Sequence, residues 1–335
     1  MKRKYVFGDG FDKLTVYDVM RMTHLNVSFG LIKNNLVTVD HLKHLDRIPI
    51  YKKINPDLKV ILSIGGWAAD GFSQAADTQE TRAIFTKSAM DIVYQWDFDG
   101  IDIDWEYPCS PQAGIAYGPQ DKKNFTYLMQ DLRKALDAGE TKTGREYILS
   151  CAVGASQSFI DSTEMDEVAK VCTFVNLMTY DMRGGFQRLT GHHTNLYSQT
   201  GDENGPSGAL TVKLFNDAGV PLEKMVYGAA FYGRVWKDVF STDQNGLNQA
   251  SPGVGSGGGD YDQIAALIGK DGFVRYWDDQ AKAAYLFNGT TFISYDDANS
   301  LKEKCKFIKE KGLAGLMYWA YGSHTLFNVV DENLK

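Results

Sequence analysis

The sequence predicts an α/β protein: a (β/α)8 or TIM barrel with a small α+β domain inserted between barrel strands seven and eight. Three observations carry that expectation. Apolar runs recur along the 335 residues, each followed by polar or amphipathic sequence, and such alternation reads as parallel strands flanked by helices. The runs are near-continuous rather than alternating, as strands buried on both faces are. Their spacing is regular until about residue 233, and then a long interval passes before the last run begins at 313.

Taken in order, strands are expected at 5–8, 25–32, 59–66, 98–107, 147–154, 174–181, 225–233 and 313–321, with amphipathic helices at 80–94, 122–137 and 297–311. Eight strands suit a closed barrel. The long interval holds Arg275-Tyr276-Trp277-Asp278 and then 284–295, where Asn288-Gly289 joins two short strands as a hairpin turn does. The barrel is therefore expected over 1–235 and 296–335, with the insertion at 236–295, on the barrel end where active sites lie. The Gly-rich stretch 251–260 lacks the G-x-x-x-x-G-K-S/T cradle and reads as a mobile loop rather than a nucleotide site.

Composition narrows the function. The apolar share of 44% and charged share of 23% are those of a globular protein. A net charge of −7 argues against nucleic acid, which selects basic surfaces. No apolar stretch is long enough to span a membrane. The aromatic share of 13% suggests a stacking surface as well as a core. Cys109, Cys151, Cys172 and Cys305 are scattered without a C-x-x-C pair, which argues against a zinc cluster, and they read mostly as buried thiols. His192-His193 and the pair His41/His44 lack a third ligand nearby in sequence, so no metal role is assigned. The start Met1-Lys2-Arg3-Lys4 is basic but lacks the apolar core of a secretory leader. Either the protein stays inside the cell or a leader is missing from this chain.

The chemistry concentrates at 98–108. A strand repeats every two residues, so Asp102, Asp104 and Glu106 share one face while Ile101, Ile103 and Trp105 share the other. Three carboxylates on an apolar strand repel one another and resist desolvation, so they serve proton chemistry or hold a cation such as Mg²⁺ or Ca²⁺. Glu106, beside the chain-turning Pro108, is expected at the pocket mouth, with Asp104 and then Asp102 one step inward each, roughly 7 Å per two residues. Close like charges cannot all ionise, so a proton is shared and at least one pKa is raised, as a general acid requires.

At this run the chain resembles the family 18 glycoside hydrolases, the chitinases and their relatives, whose signature is D-G-x-D-x-D-W-E. The resemblance continues in Ser63-Ile64-Gly65-Gly66-Trp67, similar to the third-strand S-x-G-G motif, and in Met178-Thr179-Tyr180-Asp181, similar to the sixth-strand M-x-Y-D. Phe231-Tyr232-Gly233-Arg234 resembles the end of strand seven, Met317-Tyr318-Trp319 the eighth-strand tryptophan, and 276–297 the insertion domain of deep-cleft bacterial chitinases. Three places depart from the pattern. Tyr5-Val6-Phe7-Gly8 stands where the family reads G-Y-F, Ala320 follows Trp319 where the family often has Glu, and Phe186 stands near a usual tryptophan.

The resemblance implies a retaining, substrate-assisted hydrolysis of β-1,4-linked N-acetylglucosamine polymers, a known exception to the two-carboxylate rule. Glu106 would be general acid and base, Asp104 would hold the substrate's acetamido N–H, and Asp102 would tune Asp104. Tyr180 and Asp181 would reach the acetamido group and the second acid. Trp319 would floor the −1 subsite, Met178 would pack beneath the sugar, and Trp67 would stack on the leaving-group side. Phe29, Gly66, Tyr107, Phe186, Tyr232 and Arg234 complete the implied substrate-binding set. Two rivals stand beside a chitinase: an endo-β-N-acetylglucosaminidase or cell-wall glycan hydrolase of the same family, and a chitin-binding lectin on the same fold. Such lectins usually lack the terminal acid, which this chain keeps as Glu106. No cofactor or metal is implied. The expected partner is chitin or chitooligosaccharide, the expected state a monomer, and the insoluble substrate implies secretion.

Overall fold

β-Branched and aromatic residues in short apolar runs form the strands, and capping residues end the helices between them. A computed structural model describes residues 3–8, 14–184, 187–252 and 256–335. Two compact units emerge, one comprising Tyr5–Leu177 and Leu214–Val226, the other Met1–Lys4, Met178–Lys213 and Tyr227–Lys335.

The first unit is built on β1 (Arg3–Gly8), β2 (His24–Lys33), β3 (Leu36–Thr38), β4 (Lys59–Gly65), β5 (Gly100–Asp104), β6 (Ile148–Gly154) and β7 (Phe174–Met178). β1 pairs with β2, β2 with β4, β4 with β5 and β5 with β6, all parallel, while β3 folds back antiparallel on β2. Every residue of β5 and β7 is buried, as strands covered on both faces must be. The helix Gln79–Gln95 starts in a capping box, with the Thr78 hydroxyl accepting from the Thr81 N–H. The helix Asp121–Thr143 buries Phe125, Leu128, Met129, Leu132 and Leu136 along one stripe. It runs past the last apolar position, supported by Arg133 pairing with Asp137 and Glu140, until Gly144 ends it at φ 71°. Trp105 seals strand to helix, stacked on Phe72 at 5.2 Å and edge-on to Phe125 at 6.1 Å.

The second unit carries β8 (Met225–Ala230), β9 (Tyr232–Trp236), β10 (Ser256–Asp260), β11 (Val274–Asp278), β12 (Ala283–Phe287), β13 (Phe292–Tyr295) and β14 (Gly315–Trp319). Five of these form an antiparallel sheet in the order β10-β9-β13-β12-β11. Asn288 and Gly289 make the β12–β13 hairpin, with the Asn288 carboxamide oxygen accepting the Thr290 and Thr291 N–H groups and Gly289 at φ 99°. Both faces of this sheet are covered, one by Val235, Ile264, Ala284, Leu286, Ile293 and Tyr295, the other by Trp236, Leu247, Tyr285, Phe287 and Phe292.

Two expectations change here. The run 225–233 is two strands, because Phe231 donates its N–H to the Trp319 carbonyl and stacks on Tyr318 at 3.8 Å, while Tyr232 onward joins the antiparallel sheet. The Gly-rich stretch contains an edge strand, β10, paired with β9. Residues 253–255 of that stretch lie outside the described residues.

Candidate active site

Asp102 is buried completely, yet it is not bare. Its Oδ2 accepts from the Ser63 hydroxyl at 2.7 Å, and its Oδ1 accepts from the Ser150 hydroxyl at 2.6 Å and the Asn176 amide at 3.1 Å. Strand register explains the convergence: Ser28 pairs with Ser63, Ser63 with Asp102, and Asp102 with Ser150, so one row crosses β2, β4, β5 and β6. Burial raises its pKa, and the three donors oppose that rise by favouring the charged form. Asp102 is thus a fixed acceptor.

Asp104, one inward-facing step along β5, sits differently. It is 4% exposed and its Oδ1 has no hydrogen-bond partner among the described residues. Its pKa is pushed well up, first by burial, then by the charges of Glu106 and Asp102. A carboxyl in that setting holds a proton readily and offers an oxygen to an incoming donor.

β5 stops at Asp104, so Glu106 stands two residues past the strand on a bend and is half-buried. The Gly66 N–H donates to the Asp104 carbonyl at 2.9 Å, the last rung of the β4–β5 ladder. Gly65 makes this approach possible: at φ 121°, a Cβ there would fall 2.0 Å from the Asp104 carbonyl oxygen. A Cβ on Gly66 would strike the Phe29 ring at 2.7 Å, so Phe29 lies flush on that glycine. Trp67 follows, 52% exposed, with Tyr107 edge-on at 6.4 Å and Tyr107 in turn edge-on to Phe159 at 5.9 Å. Asp102, Asp104, Glu106, Phe29, Gly66, Trp67 and Tyr107 all belong to the first unit.

The second unit holds the remaining candidates. Met178 is buried at the end of β7, and the Tyr180 hydroxyl reaches the Met317 sulfur at 3.7 Å. Tyr232 packs edge-on to Tyr180 at 6.2 Å. Arg234 lies over the Tyr232 ring and donates from Nε to Asp181 Oδ1 at 2.6 Å. His193 approaches the same oxygen, with Nδ1 at 3.5 Å. These partners outweigh burial and hold the Asp181 carboxyl far below the usual carboxylate range. Trp319 ends β14 and is partly exposed. Phe186 lies outside the described residues. Ser150, Asn176 and His193 are absent from the sequence-based site. The available signal was a polar residue inside an apolar strand for the first two, and a His-His pair for the third.

The family described as Glycosyl hydrolases family 18 matches residues 4–323. Chitinase A1 of Niallia circulans is 40% identical over 294 residues, covering 82% of this chain and 42% of its own length. Chitotriosidase-1 of Mus musculus is 32% identical over 310 residues, covering 89% of this chain and 66% of its own. The chain thus spans from under half to about two thirds of these relatives. A solved glycoside hydrolase family 18 N-acetylglucosaminidase from Paenibacillus barengoltzii superposes with a TM-score of 0.97 at 49% identity, covering all of both chains. The fold is therefore a (β/α)8 barrel, with the antiparallel sheet as its inserted α+β element.

Proposed function

The chain belongs to glycosyl hydrolases family 18, and on that premise we propose that it hydrolyses β-1,4 linkages of chitin and chitooligosaccharides with retention of configuration. The observation that carries this reading is the unequal pair on β5. Asp102 is saturated with donors, whereas Asp104 is buried, lifted in pKa and left with an open oxygen. That pair suits a substrate whose own acetamido N–H must be held while its carbonyl oxygen attacks C1.

In this reading Glu106 gives its proton to the glycosidic oxygen as the C1–O bond breaks, and the acetamido oxygen closes on C1 to form an oxazolinium ion. Asp104, having passed its proton to Asp102, accepts the N–H as a carboxylate and offsets the positive charge. Water, losing a proton to Glu106, then opens the ring and restores the acid. Tyr180 and Asp181 are assigned to the acetamido group and the second acid, Trp319 to the floor of the −1 subsite, Met178 to the space beneath the sugar, Trp67 to the leaving-group side, and Phe29, Tyr107, Tyr232 and Arg234 to substrate binding. Each flat ring gives a sugar amphipathic area at small entropy cost. The enzyme is read as a monomer acting outside the cell, where the insoluble polymer lies. Among the described residues no helix is long and apolar enough to cross a membrane.

A second reading follows from the Paenibacillus barengoltzii N-acetylglucosaminidase: release of single N-acetylglucosamine units rather than chitobiose. Product analysis by mass spectrometry on tetra- to hexa-N-acetylglucosamine separates the two. Chitobiose as the first product supports the chitinase reading, and monomer alone supports the second. Wild-type turnover no faster than Glu106→Gln would sink both and favour a lectin. A thiazoline analogue of the oxazolinium ion is expected to inhibit strongly, and its failure would point to a carboxylate nucleophile.

A further inference from the structure

Asp181 is gripped from two sides. Arg234 on β9 supplies one hold, donating to Oδ1 at 2.6 Å. His193 supplies the other, with Nδ1 3.5 Å from that oxygen and 3.4 Å from the Asp181 N–H nitrogen. The histidine is fully buried and its own backbone is pinned. Its N–H donates to the Ser294 hydroxyl at 2.9 Å, and its carbonyl accepts the Met182 N–H at 3.1 Å. Its ring leans on Tyr232, 5.3 Å between centroids. Asp181 itself adopts φ 53°, a left-handed conformation that Asp takes more readily than most non-glycine residues.

We infer that His193 is a positioning residue for Asp181: a neutral ring that donates Nδ1–H to the carboxylate, fixes its rotamer and, with Arg234, keeps it ionised. The two contacts at Nδ1 compete for one tautomer, and donation to a carboxylate is the stronger. Nε2 is buried with no hydrogen-bond partner among the described residues. An imidazolium would therefore bury a second N–H unpaired beside the Arg234 charge. The charged groups around the ring are Asp181, Arg234 and Asp296, and Asp296 is already matched by Lys304 at 2.6 Å, while Tyr232 presents only its ring face. Burial lowers the His193 pKa in line with this balance. The inference rests on the reading of Asp181 as a substrate-facing group.

The test uses the full chain with a fluorogenic di-N-acetylglucosamine substrate from pH 3 to 9, comparing wild type, His193→Phe, His193→Asn and Asp181→Asn, with thermal unfolding of each. Loss of one charge-assisted bond predicts about a tenfold fall in kcat/KM for His193→Phe. His193→Asn, whose amide N–H replaces Nδ1–H, is expected within about threefold of wild type. A folded His193→Phe with wild-type kcat/KM overturns the inference, as does His193→Asn performing no better than Phe. If Asp181→Asn is also silent, the reading of Asp181 falls with it; if only Asp181→Asn is impaired, the inference falls alone. Should His193→Phe not fold, nitrogen chemical shifts of His193 in the wild type decide, and an imidazolium at pH 6 overturns the neutral-ring assignment.

Discussion

Replacing Asp104 with Asn should stabilise the protein while disabling it. Asp104 is 4% exposed, bounded along β5 by Asp102 on one side and followed by Glu106 on the other, and its Oδ1 already lacks a partner among the described residues. A like charge one strand step away, about 7 Å, costs roughly 2 kcal/mol at an effective dielectric near 20. Protonation of Asp104 caps the total, because holding a proton at pH 7 on a group that titrates near 3.9 when unfolded costs about 4 kcal/mol. The Asn oxygen inherits an unpaired position, so only the new N–H adds a burial cost, on the order of 1 kcal/mol. The net gain is then about 1–3 kcal/mol, or roughly 1.5 to 4 °C in Tm for a chain of 335 residues.

The sign against pH is fixed by linkage. The folded-state pKa of Asp104 is raised, so the folded protein binds more protons than the unfolded chain between the ordinary carboxylate range and the raised value. Wild-type stability from this group is therefore full below the unfolded pKa and declines as pH rises through that window. Asn has no such window. Melting curves of wild type and Asp104→Asn from pH 3.5 to 8 should diverge toward neutral pH and converge near pH 4, while kcat falls about a hundredfold or more. An Asn variant no more stable than wild type at pH 7, or a gap that ignores pH, would refute the strained-carboxyl reasoning.

Two further outcomes test the packing. Gly65→Ala must drive a methyl to 2.0 Å from the Asp104 carbonyl oxygen at φ 121°, so a loss of about 3 kcal/mol or more, or failure to fold, is expected; Gly144→Ala, also left-handed but with nothing within 4 Å, should cost only about 1 kcal/mol, both read from denaturant midpoints. Lys304→Met leaves the buried Asp296 without the cation that bonds both its oxygens at 2.7 and 2.6 Å, a loss of about 3–5 kcal/mol that Lys304→Met/Asp296→Asn should partly recover in chemical denaturation.

The acidic ladder was legible because period two is a local property: six residues suffice to place Asp102 and Asp104 opposite Ile101, Ile103 and Trp105. The donors to Asp102 were not, since Ser63, Ser150 and Asn176 lie 39, 48 and 74 residues away in the chain and only parallel register aligns them. The end of β5 was misread for a different reason. The strand seemed to run on to residue 107, yet the ladder ends where the Gly66 N–H reaches the Asp104 carbonyl.

A different misreading stands at 256–260, where glycines suggested a loop and the chain forms an edge strand. A Cβ on Gly258 would stand 2.9 Å from the Gly233 carbonyl, and one on Gly233 would stand 2.6 Å from the Ile264 side chain. That misreading comes from treating glycine as a break in order. Here glycine is what lets two backbones close to contact distance, once to cap β5 below Glu106 and once to seat β10 against the strand that carries Arg234. A hydrophobicity pattern registers what side chains bury and is silent on what a missing side chain admits. The acidic ladder was therefore readable down to Asp104, and the end of its strand waited on a contact that glycine alone allows.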